Sequence, residues 1–280
     1  MYKEIQAPDI AVKHGMTRLV FEDDFDSLDT IDLNATGEEG YKWYVRRPFG
    51  GVTLTADDFS VKDSVLTLHE NNSRYNYGLA TVDGKNGVGY TFNKGVLEFR
   101  VRVPHYDQSM RSSKLPGGGG PAVWSFPREK IIDLPPNYAA QWVEADWMEY
   151  WGDLELFPGG HYTITLHETI REKQNGVVVP NRVQNHSLGE ERHFNGFHDA
   201  EWHTMTFLWD DDLFVGYFDD KEVLRMNYGA DRICDPLPYV VTGEQMTGAF
   251  SFMNEQYLAL IINGSRCNPL EIDWIRVWQK

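Results

Sequence analysis

The run W-V-E-A-D-W-M-E-Y-W-G at residues 142–152 sets three carboxylates, Glu144, Asp146 and Glu149, among aromatic side chains. On a strand, side chains alternate between faces, so Glu144 and Asp146 share one face while Val143 and Ala145 share the other. Glu149 is five residues beyond Glu144, and strict alternation would put it on the wrong side. One extra residue in the strand, a β-bulge, re-aims everything after it. A bulge at Trp147-Met148 therefore returns Glu149 to the face of Glu144 and Asp146. Trp142 and Trp151 fall on that face as well. The expected product is a row of acids with an indole beyond each end.

Such a row suits glycoside hydrolysis. That reaction needs one carboxylate as nucleophile or base and a second, protonated, as acid. Indole faces offer platforms for the C–H faces of sugar rings. An acidic, solvated strand face is the bland alternative, but solvated faces seldom alternate carboxylates with Trp. This is the one E-x-D-x-x-E match in a chain with 42 Asp and Glu.

The motif resembles the signature of glycoside hydrolase family 16, E-[hydrophobic]-D-x-x-E, in the form carried by laminarinase-like, agarase-like and carrageenase-like members. Other stretches match that family in order. L-V-F-E-D-D-F, from Leu19, resembles its opening strand, with Trp43 in the place of the Trp that follows. G-V-L-E-F-R-V-R-V-P at 95–104 resembles G-x-x-E-A-R-x-x-x-P, with Phe99 in the Ala place. P-A-V-W-S-F-P at 121–127 is similar to P-A-F-W-L-x-P, although Gly120 stands where many laminarinase-like members have a further Trp. H-Y-T-I-T-L-H-E at 161–168 resembles the strand whose His holds substrate. W-H-T-M-T-F-L-W at 202–209 matches W-H-x-Y-x-x-x-W, with Met205 in the Tyr place. The closing E-I-D-W-I-R-V-W is similar to V-D-Y-V-R-V-Y.

The resemblance implies an all-β jelly-roll sandwich of two antiparallel sheets, with a concave substrate cleft. It covers one catalytic domain, 19–280, behind a lead-in, 1–18. It implies a retaining, endo-acting hydrolase of internal β-linkages, with a β-1,3-glucan as the leading substrate. A β-galactan or endo-β-galactosidase-type hydrolase is the alternative within the family. By motif position Glu144 is the nucleophile, Glu149 the acid/base and Asp146 the acid between them. Trp124, Trp142, Trp151 and His167 are the substrate-binding candidates. Asp273 occupies the place of the Asp that holds a structural Ca2+ in many members, and calcium favours such oxygen ligands. The reaction needs no cofactor. A retaining pair of carboxyls lies about 5–5.5 Å apart. Backbones four pleat slots apart are about 13 Å apart, so the two Glu side chains have to converge over the sugar.

Composition agrees with this reading. The 280 residues hold 41% hydrophobic and 14% aromatic residues, with nine Trp, enough for a sizeable core and a carbohydrate site. No stretch sustains a helical period, which disfavours an α/β fold. The net charge of −16 disfavours nucleic acid and anionic membranes, and favours a neutral glycan over a sulfated one. No apolar run is long enough to span a bilayer, and the first residues lack a signal-peptide pattern. An extracellular or cell-surface location follows from the resemblance alone, as does a monomer. Cys234 and Cys267 leave a disulfide and two thiols both open. Two other classes remain. A lectin on the same fold would carry the aromatics without the acids. A metal enzyme would need more ligands than His161 and His167, which share a strand face. Residues 171–189 read as a long polar loop on one cleft rim, and 130–140 as a Pro-containing connector.

Overall fold

The structure, a computed structural model, describes residues 5–46, 48, 53–69, 78–104, 120–135, 138–151, 161–188, 193–197, 199–211, 213–227, 239–241, 244–246, 256–264 and 269–280. Cys234 and Cys267 lie outside them.

Alternation of apolar and polar residues builds most of the strands. In Gly95–Arg102, Leu97, Phe99 and Val101 are buried, while Glu98, Arg100 and Arg102 are partly exposed. The same logic repeated over many strands gives a jelly-roll sandwich of two large sheets. The front sheet runs, neighbour to neighbour, Val177–Leu188, His161–Gln174, Gln141–Trp151, Ala122–Pro127, Leu258–Asn263, Leu79–Ala80, Trp43–Tyr44 and Ile31–Asp32. The back sheet runs Lys221–Asn227, Leu213–Phe218, His203–Trp209, Gly95–Arg102, Leu270–Gln279, Val65–Leu68 and Phe59–Lys62, with Arg18–Asp23 also on Leu270–Gln279. The pairing is antiparallel except between Ile31–Asp32 and Trp43–Tyr44, which run parallel.

One core fills the space between the sheets. Trp147 lies at its middle, stacked on Phe92 and Phe214 with centroids 6.1 and 5.3 Å away. Trp43 is buried beside Phe21 and Phe25, and its indole N–H donates to Asp23 at 2.8 Å. Burying that many aromatic rings is a main source of stability, since each fully buried ring removes a large apolar area from water.

Two expectations change. The lead-in belongs to the fold: the short helix Asp9–Lys13 places Ala11 against Val96, Leu208, Val215 and Trp278 on the outer face of the back sheet. Of the expected 171–189 loop, residues 171–188 are largely strand. His161–Gln174 and Val177–Leu188 form a long hairpin around Asn175-Gly176. Both turn residues have positive φ, 51° and 80°, the backbone of a tight hairpin turn that Asn-Gly favours. Polar composition hid the strand, because one edge of a sheet can be solvated on both faces.

Candidate active site

The strand Gln141–Trp151 lies inside the front sheet, paired on both sides. Against His161–Gln174 its register slips between Asp146 and Glu149. Against Ala122–Pro127 it slips between Asp146 and Met148. The extra residue is at Trp147-Met148, and both side chains enter the core. Trp147 anchors the bulge, because its indole N–H donates to Ser125 Oγ at 2.7 Å in a fully buried setting. Glu144, Asp146 and Glu149 therefore share the outer face of the front sheet, as the spacing predicted.

That face holds a connected polar group. His167 pairs across the strands with Glu144, and its Nε2 lies 3.0 Å from Asp146 Oδ2. Thr163 is the cross-strand partner of Glu149 and donates a long hydrogen bond to Glu149 Oε2 at 3.4 Å. Trp151 donates to Thr163 Oγ1 at 3.2 Å and lies over His161. Trp124 is the neighbour of Asp146 on the other side.

Burial governs the electrostatics. Asp146 is 4% exposed. Burial holds its carboxyl well above the usual range, and the Glu149 carboxylate adds to this. Burial likewise raises Glu144, aided by Asp146 and Glu149, while His167 and Lys130 oppose the rise. Three carboxyls this close, one buried and two partly buried, cannot all ionise cheaply.

Of the predicted platforms, Trp151 stays partly exposed beside the acids. Trp142 does not serve as predicted. It is 6% exposed, with the Lys130 ammonium 4.1 Å and the Arg171 guanidinium 4.9 Å from its ring centre. The cations occupy the indole where a sugar would stack. Trp124 is 7% exposed, donates to Asn263 Oδ1 at 2.7 Å and meets Phe126 edge-on, which makes it a wall rather than an open platform.

Lys130 and Arg171 were absent from the predicted site, and so was Asp133, which joins them. Asp133 accepts from Arg171 at 2.7 Å, Lys130 at 2.9 Å and the Ala139 amide at 2.8 Å. Burial alone would raise its carboxyl, but these hydrogen bonds hold it below the usual range. Nothing in the spacing of residues 130, 133 and 171 announces the cluster. The one local signal is the i,i+3 pair Lys130 and Asp133.

Asp273 accepts from Arg100 at 2.5 Å. A guanidinium already satisfying this carboxylate does not fit a calcium site there, and among the described residues no group of three or more His, Cys, Asp and Glu is placed to hold a metal ion. Among them, too, no helix is long and apolar enough to cross a membrane.

No family model matches the chain, and no curated protein does. Solved structures do. LamAcat from Zobellia galactanivorans is 16% identical, with a TM-score of 0.54 over 95% of this chain and 99% of that one. The laminarinase from Rhodothermus marinus is 16% identical, with a TM-score of 0.50 over 94% of this chain and 97% of that one. At this identity the likeness establishes the fold.

Proposed function

We propose that this chain is a retaining, endo-acting glycoside hydrolase of family 16 that cuts internal β-linkages of a polysaccharide, with a β-1,3-glucan as first substrate. The observation that carries the reading is the bulge at Trp147-Met148, which turns three carboxyls, Asp146 buried and Glu144 and Glu149 partly exposed, onto one sheet face. The family motif and the fold shared with a laminarinase support it. The net charge of −16 favours a neutral glycan. The reading carries a setting with it: a monomer working outside the cell, where such polymers are met.

In this mechanism Glu144 attacks the anomeric carbon while Glu149 protonates the departing oxygen. Water then releases the glycosyl-enzyme, with Glu149 as base. Asp146 shares a proton with the free Glu144 carboxylate and so tunes its charge, and His167 steadies Asp146 when it ionises. Thr163 orients Glu149. Partly exposed Trp151 offers a ring face to a sugar near Glu149.

The test combines a substrate panel with azide rescue. β-1,3-Glucan, mixed-linkage glucan, agarose, carrageenan and mucin glycans are each incubated with the protein, and new oligosaccharides are sought. Glu144→Gln should abolish turnover. Glu149→Ala with an activated substrate and azide should yield the β-glycosyl azide, and Glu144→Gly the α-azide, since azide then takes the nucleophile's side. The same anomer from both variants refutes the assignment. Products from agarose alone would move the substrate to the β-galactan alternative. Binding without products would support a lectin.

A further inference from the structure

Cross-strand partners share a sheet face, so the strand register traces a line across the front sheet from the acids. Asp146 is the partner of Trp124, Trp124 of Ile261, Ile261 of Ala80, and Ala80 of Tyr44. Four strand spacings of about 4.8 Å put Tyr44 roughly 19 Å from Asp146 along this line. Ile261 and Ala80 are fully buried, in the cluster that Phe126 and Ile131 complete. The line is thus roofed in its middle and ends at Tyr44, itself fully buried.

Beside Tyr44 lies a cavity of about 380 Å³, large enough for a small ligand. Tyr41 and Tyr44 line it, their rings edge to face at 6.3 Å. The Tyr44 hydroxyl donates to the Glu38 carbonyl at 3.0 Å, which fixes that ring. Arg128 reaches in from the end of the strand that carries Trp124. It is exposed and donates to the Gly89 carbonyl at 3.3 Å. Glu39 and Asn86 supply acceptors and donors. Glycine shapes the walls. A Cβ on Gly89 would stand 2.1 Å from the Thr81 carbonyl oxygen and 2.9 Å from the Tyr44 ring, so only Gly lets the loop press on Tyr44. Gly40, with φ +111°, would have nothing within 4 Å of an added Cβ, which leaves the rim open.

We propose that this cavity is a second glycan-binding site, which holds a neutral sugar residue of the same polysaccharide remote from the carboxylates. The partly exposed Tyr41 ring takes a C–H face of the sugar. Arg128 and Glu39, one cation and one anion, grip its hydroxyls without favouring a charged ligand. A chain held here passes over the helix Arg128–Ile131 to the acids, so the site would favour long polymers over short oligosaccharides. The choice of ligand rests on the hydrolase reading, but the test separates the two.

Native gels cast with and without laminarin measure retardation of Glu144→Gln, which cannot digest the polymer. Tyr41→Ala and Arg128→Met, each added to Glu144→Gln, should weaken the apparent Kd for laminarin roughly threefold to tenfold, the range of one lost ring contact. Tyr41→Trp should restore it, and thermal unfolding checks that each variant is folded. Unchanged retardation in both variants overturns the second site, as does a parent that laminarin fails to retard. If wild type cuts laminarin while the variants bind like the parent, the second site falls and the hydrolase reading stands. If wild type cuts nothing in the panel while Tyr41→Ala still loses retention, the site stands and the hydrolase reading falls.

Discussion

Ser125→Ala tests the bulge through one hydrogen bond. Ser125 and Trp147 are both fully buried, and the indole N–H donates to the hydroxyl at 2.7 Å. Removing the hydroxyl strands a buried N–H, at a cost of about 1–3 kcal/mol. Trp147→Phe strands the hydroxyl instead and leaves a smaller ring between Phe92 and Phe214, which costs about 2–4 kcal/mol. The double variant leaves neither group stranded. Its loss should fall short of the summed single losses by about 1–2 kcal/mol. Denaturant midpoints measure this, and each kcal/mol should lower Tm by about 2–3 °C in a domain of this size. Activity reports the functional side. The bulge aims Glu149, and a misplacement near 1 Å costs about a hundredfold in rate, so Ser125→Ala should lower kcat more than it raises KM. A Ser125→Ala protein within about 0.5 kcal/mol of wild type, or strictly additive losses, would show that the hydrogen bond does not hold the bulge.

The remaining predictions concern pH and backbone fit. Burial pushes the Glu98 carboxyl up to about 7, against the pull of Arg276 and the Thr206 hydroxyl. The folded form then keeps a proton that the unfolded chain releases near pH 4.5, so stability falls as pH rises between those values. Glu98→Gln should match wild type at pH 4 and exceed it above pH 7, by at most about 3 kcal/mol before solvent screening, as read from urea melts at the two pH values. Gly120→Ala should destabilise by more than about 2 kcal/mol, because its Cβ would stand 1.4 Å from the Tyr150 carbonyl oxygen, next to Glu149. A calorimetric Tm equal to wild type would contradict that fit.

Residues 142–152 are legible from the chain alone because strand geometry has period two, and a count of residues decides which face each side chain takes. The same period buries Leu97, Phe99 and Val101, and counting by it predicted the slip at Trp147-Met148. What covers a face is not written in period two. Trp142 is on the predicted side, yet Lys130 and Arg171 reach it from outside the strand, joined by Asp133, which is 38 residues from Arg171 along the chain. Polar composition concealed the 171–188 part of the hairpin, whose order comes from pairing with the front sheet and from the Asn175-Gly176 turn. Gly120 reads as a missing sugar platform, but only packing shows that the Tyr150 backbone excludes any side chain there. The line from Asp146 to Tyr44 joins strands more than a hundred residues apart. Local periodicity chooses a side chain's direction, whereas its surroundings come from long-range pairings, which only the folded chain brings together.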